Sequence, residues 1–202
     1  MVTEQKKKTI SRLKTMYSLR NKVDESYKKG LEAMKAGKPT VWGMLNAYFG
    51  DPVLKAMDVE VVYPENYGAA LAASGVAQKY LDCADADGFP THLCGYSRAN
   101  LGYAARMMKE LEGEIPPEAP MGGMPKPLFL MGSTIICDAR YKWFQALGRY
   151  MDVPVWTFES PIPGVKERFM EGSYERMIEL GVKNLKEFVA FCERLLGRKM
   201  DW

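Results

Sequence analysis

The stretch PLFLMGSTIICDARYKWFQALGRYM, residues 127 to 151, decides the fold. It opens as an apolar strand, PLFLMGS, and TIICDARYKWFQALGRYM then reads as strand end, turn and helix in succession. A buried strand running straight into a helix is the unit of an α/β sheet, so the same order is sought on either side.

Upstream, GKPTVWGM breaks a helical pattern at Gly37 and Pro39, and Thr40 to Met44 reads as a first buried strand. A short helix over 51 to 57 follows. VEVVYP is the second strand, stopped at Pro64, and Glu65 opens one helix that the pattern carries to about residue 88. Another helix is expected from about Ser97 to Leu111, and GEIPPEAPMGGMPKP is too rich in proline and glycine to be anything but loop. Downstream, VPVWTFES is the fourth strand, and the last long helix spans Gly172 to Lys199. The expected fold is α/β: a doubly wound, mainly parallel, flavodoxin- or Rossmann-like sheet with an N-terminal helical arm. The arm occupies 1–38, the α/β domain 39–165 and a C-terminal helical segment 166–202.

The totals agree with a globular chain. The sequence has 202 residues, 47% hydrophobic, with 28 lysines and arginines against 25 acids. That length can bury a sizeable core, and the net charge of +3 gives no reason to expect nucleic acid or an anionic membrane as partner. No apolar run approaches the roughly 20 residues a bilayer requires and the lysine-bearing start lacks a secretory segment, so the cytoplasm is the expected location. Four scattered cysteines do not make a disulfide scaffold.

In open parallel sheets, ligands collect beyond the carboxyl ends of the strands. Two cysteines fall there: Cys94 just ahead of the helix near Ser97, and Cys137 ahead of a helix that Asp138 can cap. The partial positive charge of a helix start favours a thiolate, the form that binds metal. Cys83 and Cys192 instead continue apolar helix faces and are expected in the core. His92 offers a third ligand for a zinc site with Cys94 and Cys137, as an alternative to a hydrogen-bonded loop histidine.

Zinc-ribbon, dinucleotide-binding, P-loop and serine-hydrolase motifs are all absent from the sequence. Trp42, Tyr48, Tyr63, Tyr67 and Tyr96 stand at strand ends or loops, where they either line an apolar pocket or cap the core. Asn46, Glu65 and Asn66 supply polar groups at the same crevice. Arg98 and Arg140 open the two helices after the cysteines, suited to a phosphate-bearing ligand or to pairing with acids.

Taken together, VVYPENYGAALAASG, THLCGYSRANLG and GSTIICDARYKWFQAL, in this order, resemble the cluster-bearing subunits of the benzoyl-CoA reductase and 2-hydroxyacyl-CoA dehydratase family over about residues 40 to 160. The resemblance implies a 4Fe-4S cluster beside an acyl-CoA pocket, with Cys94 and Cys137 at two of three cysteine positions and Glu65 as the proton-handling residue. Asn46, Tyr96 and Arg98 are the expected substrate contacts. It also implies a homologous second subunit and an ATP-hydrolysing iron-sulfur activator that delivers low-potential electrons for aromatic-ring reduction or dehydration. Flavin has no support in the sequence. Family subunits continue into a second α/β domain that brings the third cysteine, whereas this sequence ends at Trp202. The chain is therefore expected to be a fragment, a split subunit completed by another polypeptide, or a form that holds no ordinary cluster; the third ligand is expected from outside this polypeptide, and the isolated chain is expected to be inactive. The alternatives are a non-catalytic scaffold subunit and a small zinc-binding domain.

Overall fold

The computed structural model describes residues 13–45, 50–135, 137–159 and 163–201. Within them lie four strands, β1 (Thr40–Gly43), β2 (Glu60–Val62), β3 (Phe129–Ser133) and β4 (Val155–Phe158). All pairings are parallel and the order is β2-β1-β3-β4. Seven α-helices accompany them: α1 (Lys14–Lys35), α2 (Gly50–Ala56), α3 (Pro64–Ala73), α4 (Ala77–Ala86), α5 (Gly95–Ala105), α6 (Asp138–Met151) and α7 (Ser173–Leu196). From β1 the chain steps to β2 on one side and then crosses to β3 on the other. The strand order therefore reverses between β1 and β3, which opens a crevice at their carboxyl ends.

Alternation along the strands splits the core in two. Trp42, Val62 and Leu130 face a layer of α1, α3, α4, α5 and α6, packed through Tyr67, Tyr80, Tyr103, Phe144 and Leu147. Val41, Phe129, Met131 and Phe158 face α2 and α7, meeting Leu54, Phe188 and Cys192. Side chains on both faces are buried, so the strands read as apolar runs rather than as polar–apolar alternation. Complete burial of a side chain such as Phe188 contributes about 2–3 kcal/mol.

The doubly wound expectation holds, with local differences. The single helix expected over 65 to 88 is two, because the chain turns at Ser74–Gly75–Val76 and Gly75 takes φ +73°, a left-handed conformation that glycine adopts without strain. The break lets α4 lie directly across α5: a Cβ at Gly102 would sit 1.7 Å from the Tyr80 carbonyl oxygen. The next helix starts at Gly95, ahead of the expected Ser97, and ends in a π-helical turn over Arg106–Glu110. Strands β2 and β4 are shorter than the sequence suggested.

The loop over 113 to 127 is pinned from beneath by three buried aromatic residues. Trp42 Nε1 donates to Pro125 O (2.8 Å), the Tyr67 hydroxyl to Pro120 O (2.8 Å) and the Tyr103 hydroxyl to Met124 O (3.0 Å). Trp42 and Tyr67 are thus core anchors.

Helices α1 and α7 outreach the sheet. The Tyr27 hydroxyl donates to Tyr63 O at the end of β2, and Asn184 Nδ2 donates to Glu159 O just past β4. The residues N-terminal to these points extend past the strand ends by roughly 20 Å in α1 and 15 Å in α7 at 1.5 Å per residue. Met16, Tyr17 and Leu19 on one, and Tyr174, Ile178 and Val182 on the other, are exposed there.

Candidate functional site at the carboxyl rim

Both loop cysteines are where the sequence placed them, at helix starts. Cys94 is the N-cap residue of α5 and Cys137 that of α6, and both thiols are exposed. Asp138 is the first residue inside α6 rather than its cap, since Cys137 takes the extended cap conformation. The other pair divides: Cys192 is sealed in the core and burial pushes its thiol up to about 12. Cys83 is only partly buried and points at the Glu110 carboxylate (3.6 Å), so it is no core residue; burial first, and then the Glu110 charge, raise its pKa.

Helices α5 and α6 lie side by side and point the same way. Their first halves meet the start of α3, where Asn100 Nδ2 donates to Pro64 O (2.9 Å) and Arg140 pairs with Glu65. Their far ends converge on Asp87, which accepts from Lys109 (2.7 Å) and from the Tyr150 hydroxyl. The starts of α3, α5 and α6 therefore share one rim, at the β1/β3 crevice.

Within this rim the Pro64–Glu65–Asn66 segment is held from three helices. Asn100 of α5 takes the Pro64 carbonyl, Arg140 of α6 takes Glu65 Oε2 (2.5 Å), and Asn66 donates to the Tyr27 hydroxyl of α1 (3.1 Å). Arg140 also donates to Leu45 O just past β1, and its side chain is 4% exposed against 26% for Glu65. Tyr96, 46% exposed, packs over Gly68, where a Cβ would approach its ring to 3.1 Å. Arg98 is occupied internally: it pairs with Asp85 and donates to Thr91 O (3.3 Å), which fixes the loop leading to Cys94. Asn46 and Tyr48 lie outside the described residues.

Nearby, the Tyr63 hydroxyl donates to Asp51 Oδ2 (2.7 Å), joining the start of α2 to the end of β2. Burial raises the Asp51 pKa, and the Tyr63 bond partly offsets this.

Sequence reasoning missed Asn100, which is fully buried and bonds both Pro64 O and Tyr96 O, and Ser133, which is buried at the end of β3 with no partner for its hydroxyl among the described residues. An asparagine in mid-helix was the available signal for the first, since that residue competes with the helix backbone unless its side chain is used elsewhere. Ser133 gave none.

The zinc arrangement is not assembled. Among the described residues no three histidine, cysteine or acidic side chains converge as a metal-holding group, so His92 does not complete a site with Cys94 and Cys137. For a 4Fe-4S cluster the donor chemistry is suitable but incomplete: the rim carries two accessible thiols of the soft type iron-sulfur sites use, and the described residues supply no third. Among the described residues no helix is long and apolar enough to cross a membrane.

Comparison with known proteins gives a consistent picture. The chain is 31% identical over 154 residues to the alpha subunit of (R)-phenyllactyl-CoA dehydratase from Clostridium sporogenes, covering 76% of this chain and 35% of that protein. It is 28% identical over 177 residues to the alpha subunit of (R)-2-hydroxyisocaproyl-CoA dehydratase from Clostridioides difficile, covering 88% and 39%. Lactoyl-CoA dehydratase subunit alpha of Anaerotignum propionicum is 24% identical over 156 residues, covering 72% and 34%. The chain spans little more than a third of the length of these relatives. Residues 46–202 match the family model described as 2-hydroxyglutaryl-CoA dehydratase, D-component, and the chain belongs to that family.

Proposed function

We propose that this chain is part of a 2-hydroxyacyl-CoA dehydratase complex and contributes Cys94 and Cys137 to a 4Fe-4S cluster. The observation that carries the reading is the pair of exposed thiols at two helix starts on the rim that also bears Glu65. The three relatives are all dehydratase alpha subunits, which favours dehydration over aromatic-ring reduction. When bound, the cluster would supply a low-potential electron to the acyl-CoA thioester. The remaining ligand comes from outside residues 1–202, a homologous second subunit completes the complex, and the apolar flanks of α1 and α7 beyond the strand ends suit a protein cover. The electron source is an ATP-hydrolysing iron-sulfur activator, and the compartment is the cytoplasm.

The chain's own side chains have distinct tasks. Among the described residues Glu65 is bonded only through Oε2, so Oε1 is the atom that takes or gives the proton. Tyr96 offers its open face and hydroxyl to the substrate. Arg98 acts on substrate by fixing the Cys94 loop through Asp85 and Thr91, and Asn46 is a substrate contact proposed on sequence grounds.

The test is anaerobic co-purification with the neighbouring family subunit, followed by iron analysis and electron paramagnetic resonance. Bound iron with a cluster signal, lost in Cys94→Ala and in Cys137→Ala, is the expected result. Absence of iron under every reconstitution condition overturns the cluster reading in favour of a scaffold subunit.

A further inference from the structure

We propose that Arg140 is a positioning residue that holds the proton-handling carboxylate of Glu65 in fixed relation to Cys137, without itself touching substrate. The inference rests on the proposed role of Glu65 and adds the group that governs it.

Arg140 lies in the first turn of α6, and its backbone N–H donates to Cys137 O (3.2 Å), so its Cα moves with the cysteine. From there the side chain runs inward, almost wholly buried, and its Nη2 reaches Glu65 Oε2 and Leu45 O. One guanidinium thus ties together the segments just beyond β1, β2 and β3. Its Nε is buried and without a partner among the described residues, so the pair is not optimised for stability: a guanidinium placed for pairing alone would meet the carboxylate through two parallel bonds. The burial also separates Arg140 from an anion-binding role, because at 4% exposure it cannot present its charge to a CoA phosphate. Its charge is spent on Glu65 and a carbonyl. A carboxylate gripped by one oxygen keeps the other oriented and free, as proton transfer requires.

The experiment uses the assembled complex with its activator, assayed with (R)-phenyllactyl-CoA and (R)-2-hydroxyisocaproyl-CoA. Arg140→Met is expected to lower kcat by about 100-fold, the scale of a lost acid–base contribution, with KM and iron content retained. Arg140→Lys, which keeps one charged donor, restores part of kcat. The double variant Arg140→Met, Glu65→Gln is no slower than Glu65→Gln alone, since the arginine acts through the glutamate. Independent, multiplicative losses in the double variant, or a lost kcat accompanied by lost iron, overturn the inference.

A second measurement needs no turnover. Amide hydrogen exchange in peptides covering 40–45 and 64–73 should quicken about tenfold or more in Arg140→Met and less in Arg140→Lys. Unchanged exchange there overturns the positioning role whatever the activity shows. If the wild-type complex turns over neither thioester, or Glu65→Gln retains full kcat, the functional reading fails and the exchange result alone decides the case of Arg140.

Discussion

Arg106 and Arg140 each grip a glutamate, and the two grips differ. At the far end of α5, Arg106 meets both oxygens of Glu118, from Nε (2.5 Å) and Nη2 (3.2 Å), while its Nη1 takes Glu110 (2.5 Å) and Lys79 adds a second cation to Glu118 (3.0 Å). At the rim, Arg140 reaches a single oxygen of Glu65 and, among the described residues, leaves its own Nε unpaired. A bidentate pair within a charge network stabilises the fold, whereas a pair joined at one atom leaves a carboxylate oriented and partly free. The cysteines repeat the contrast. Cys192 fills the core, while Cys94 and Cys137 stand open at helix starts. The Arg106 network engages both oxygens of its glutamate, and the rim pair engages one.

The thiols offer the largest expected effect. In the metal-free chain, iodoacetamide should modify Cys94 and Cys137 at least about 10³-fold faster than Cys192, whose reaction waits on unfolding. Cys83 should fall between, held back by burial and by Glu110. Peptide mass spectrometry over a labelling time course reads this, and equal rates at Cys192 and Cys137 would erase the contrast.

Next comes acid. Burial alone would raise the Glu118 pKa, but Arg106, its own backbone N–H and Lys79 together outweigh that and bring it from 4.5 to about 2. Because the folded value lies below the unfolded one, the stabilisation is complete above about pH 4.5 and is lost as the pH falls toward 2. At 1.36 kcal/mol per unit these contacts together contribute at most about 3 kcal/mol. Glu118→Gln should destabilise the chain at pH 7 by about that amount or less and flatten the acid limb of its urea-unfolding stability profile. An unchanged acid limb would show that the network does not differ from the rim pair in the way described.

The smallest effect should be Glu65→Gln. A neutral amide oxygen still accepts from Arg140, and the residue is partly exposed, so the change in unfolding free energy should stay within about 1 kcal/mol at pH 7. A larger loss, measured by urea denaturation, would make the rim pair a structural element like that of Arg106.

Much of the architecture was legible in the chain. The apolar runs at 40–44, 59–63 and 128–133 had to be buried strands, Pro64 had to end one of them, and the cysteines at 94 and 137 had to fall at strand-to-helix or loop-to-helix junctions. The break at Gly75 was obscured because AALAASGVAQKYL reads as one helical run; only the crossing of α4 over Gly102 rewards the turn. Whether Trp42 and Tyr67 line a pocket or cap the core stayed open, because an aromatic residue at a strand end is ambiguous until the 113–127 loop folds over it and takes its hydrogen bond.

Local periodicity and backbone restriction thus determined the elements, their order and the two helix-start thiols, since these depend on residues a few positions apart. Partnership was decided by tertiary structure alone. Arg140 finds Glu65 75 positions away and Asn100 finds Pro64 36 away because the parallel sheet brings successive strand ends to one edge, and no spacing in the sequence encodes that meeting.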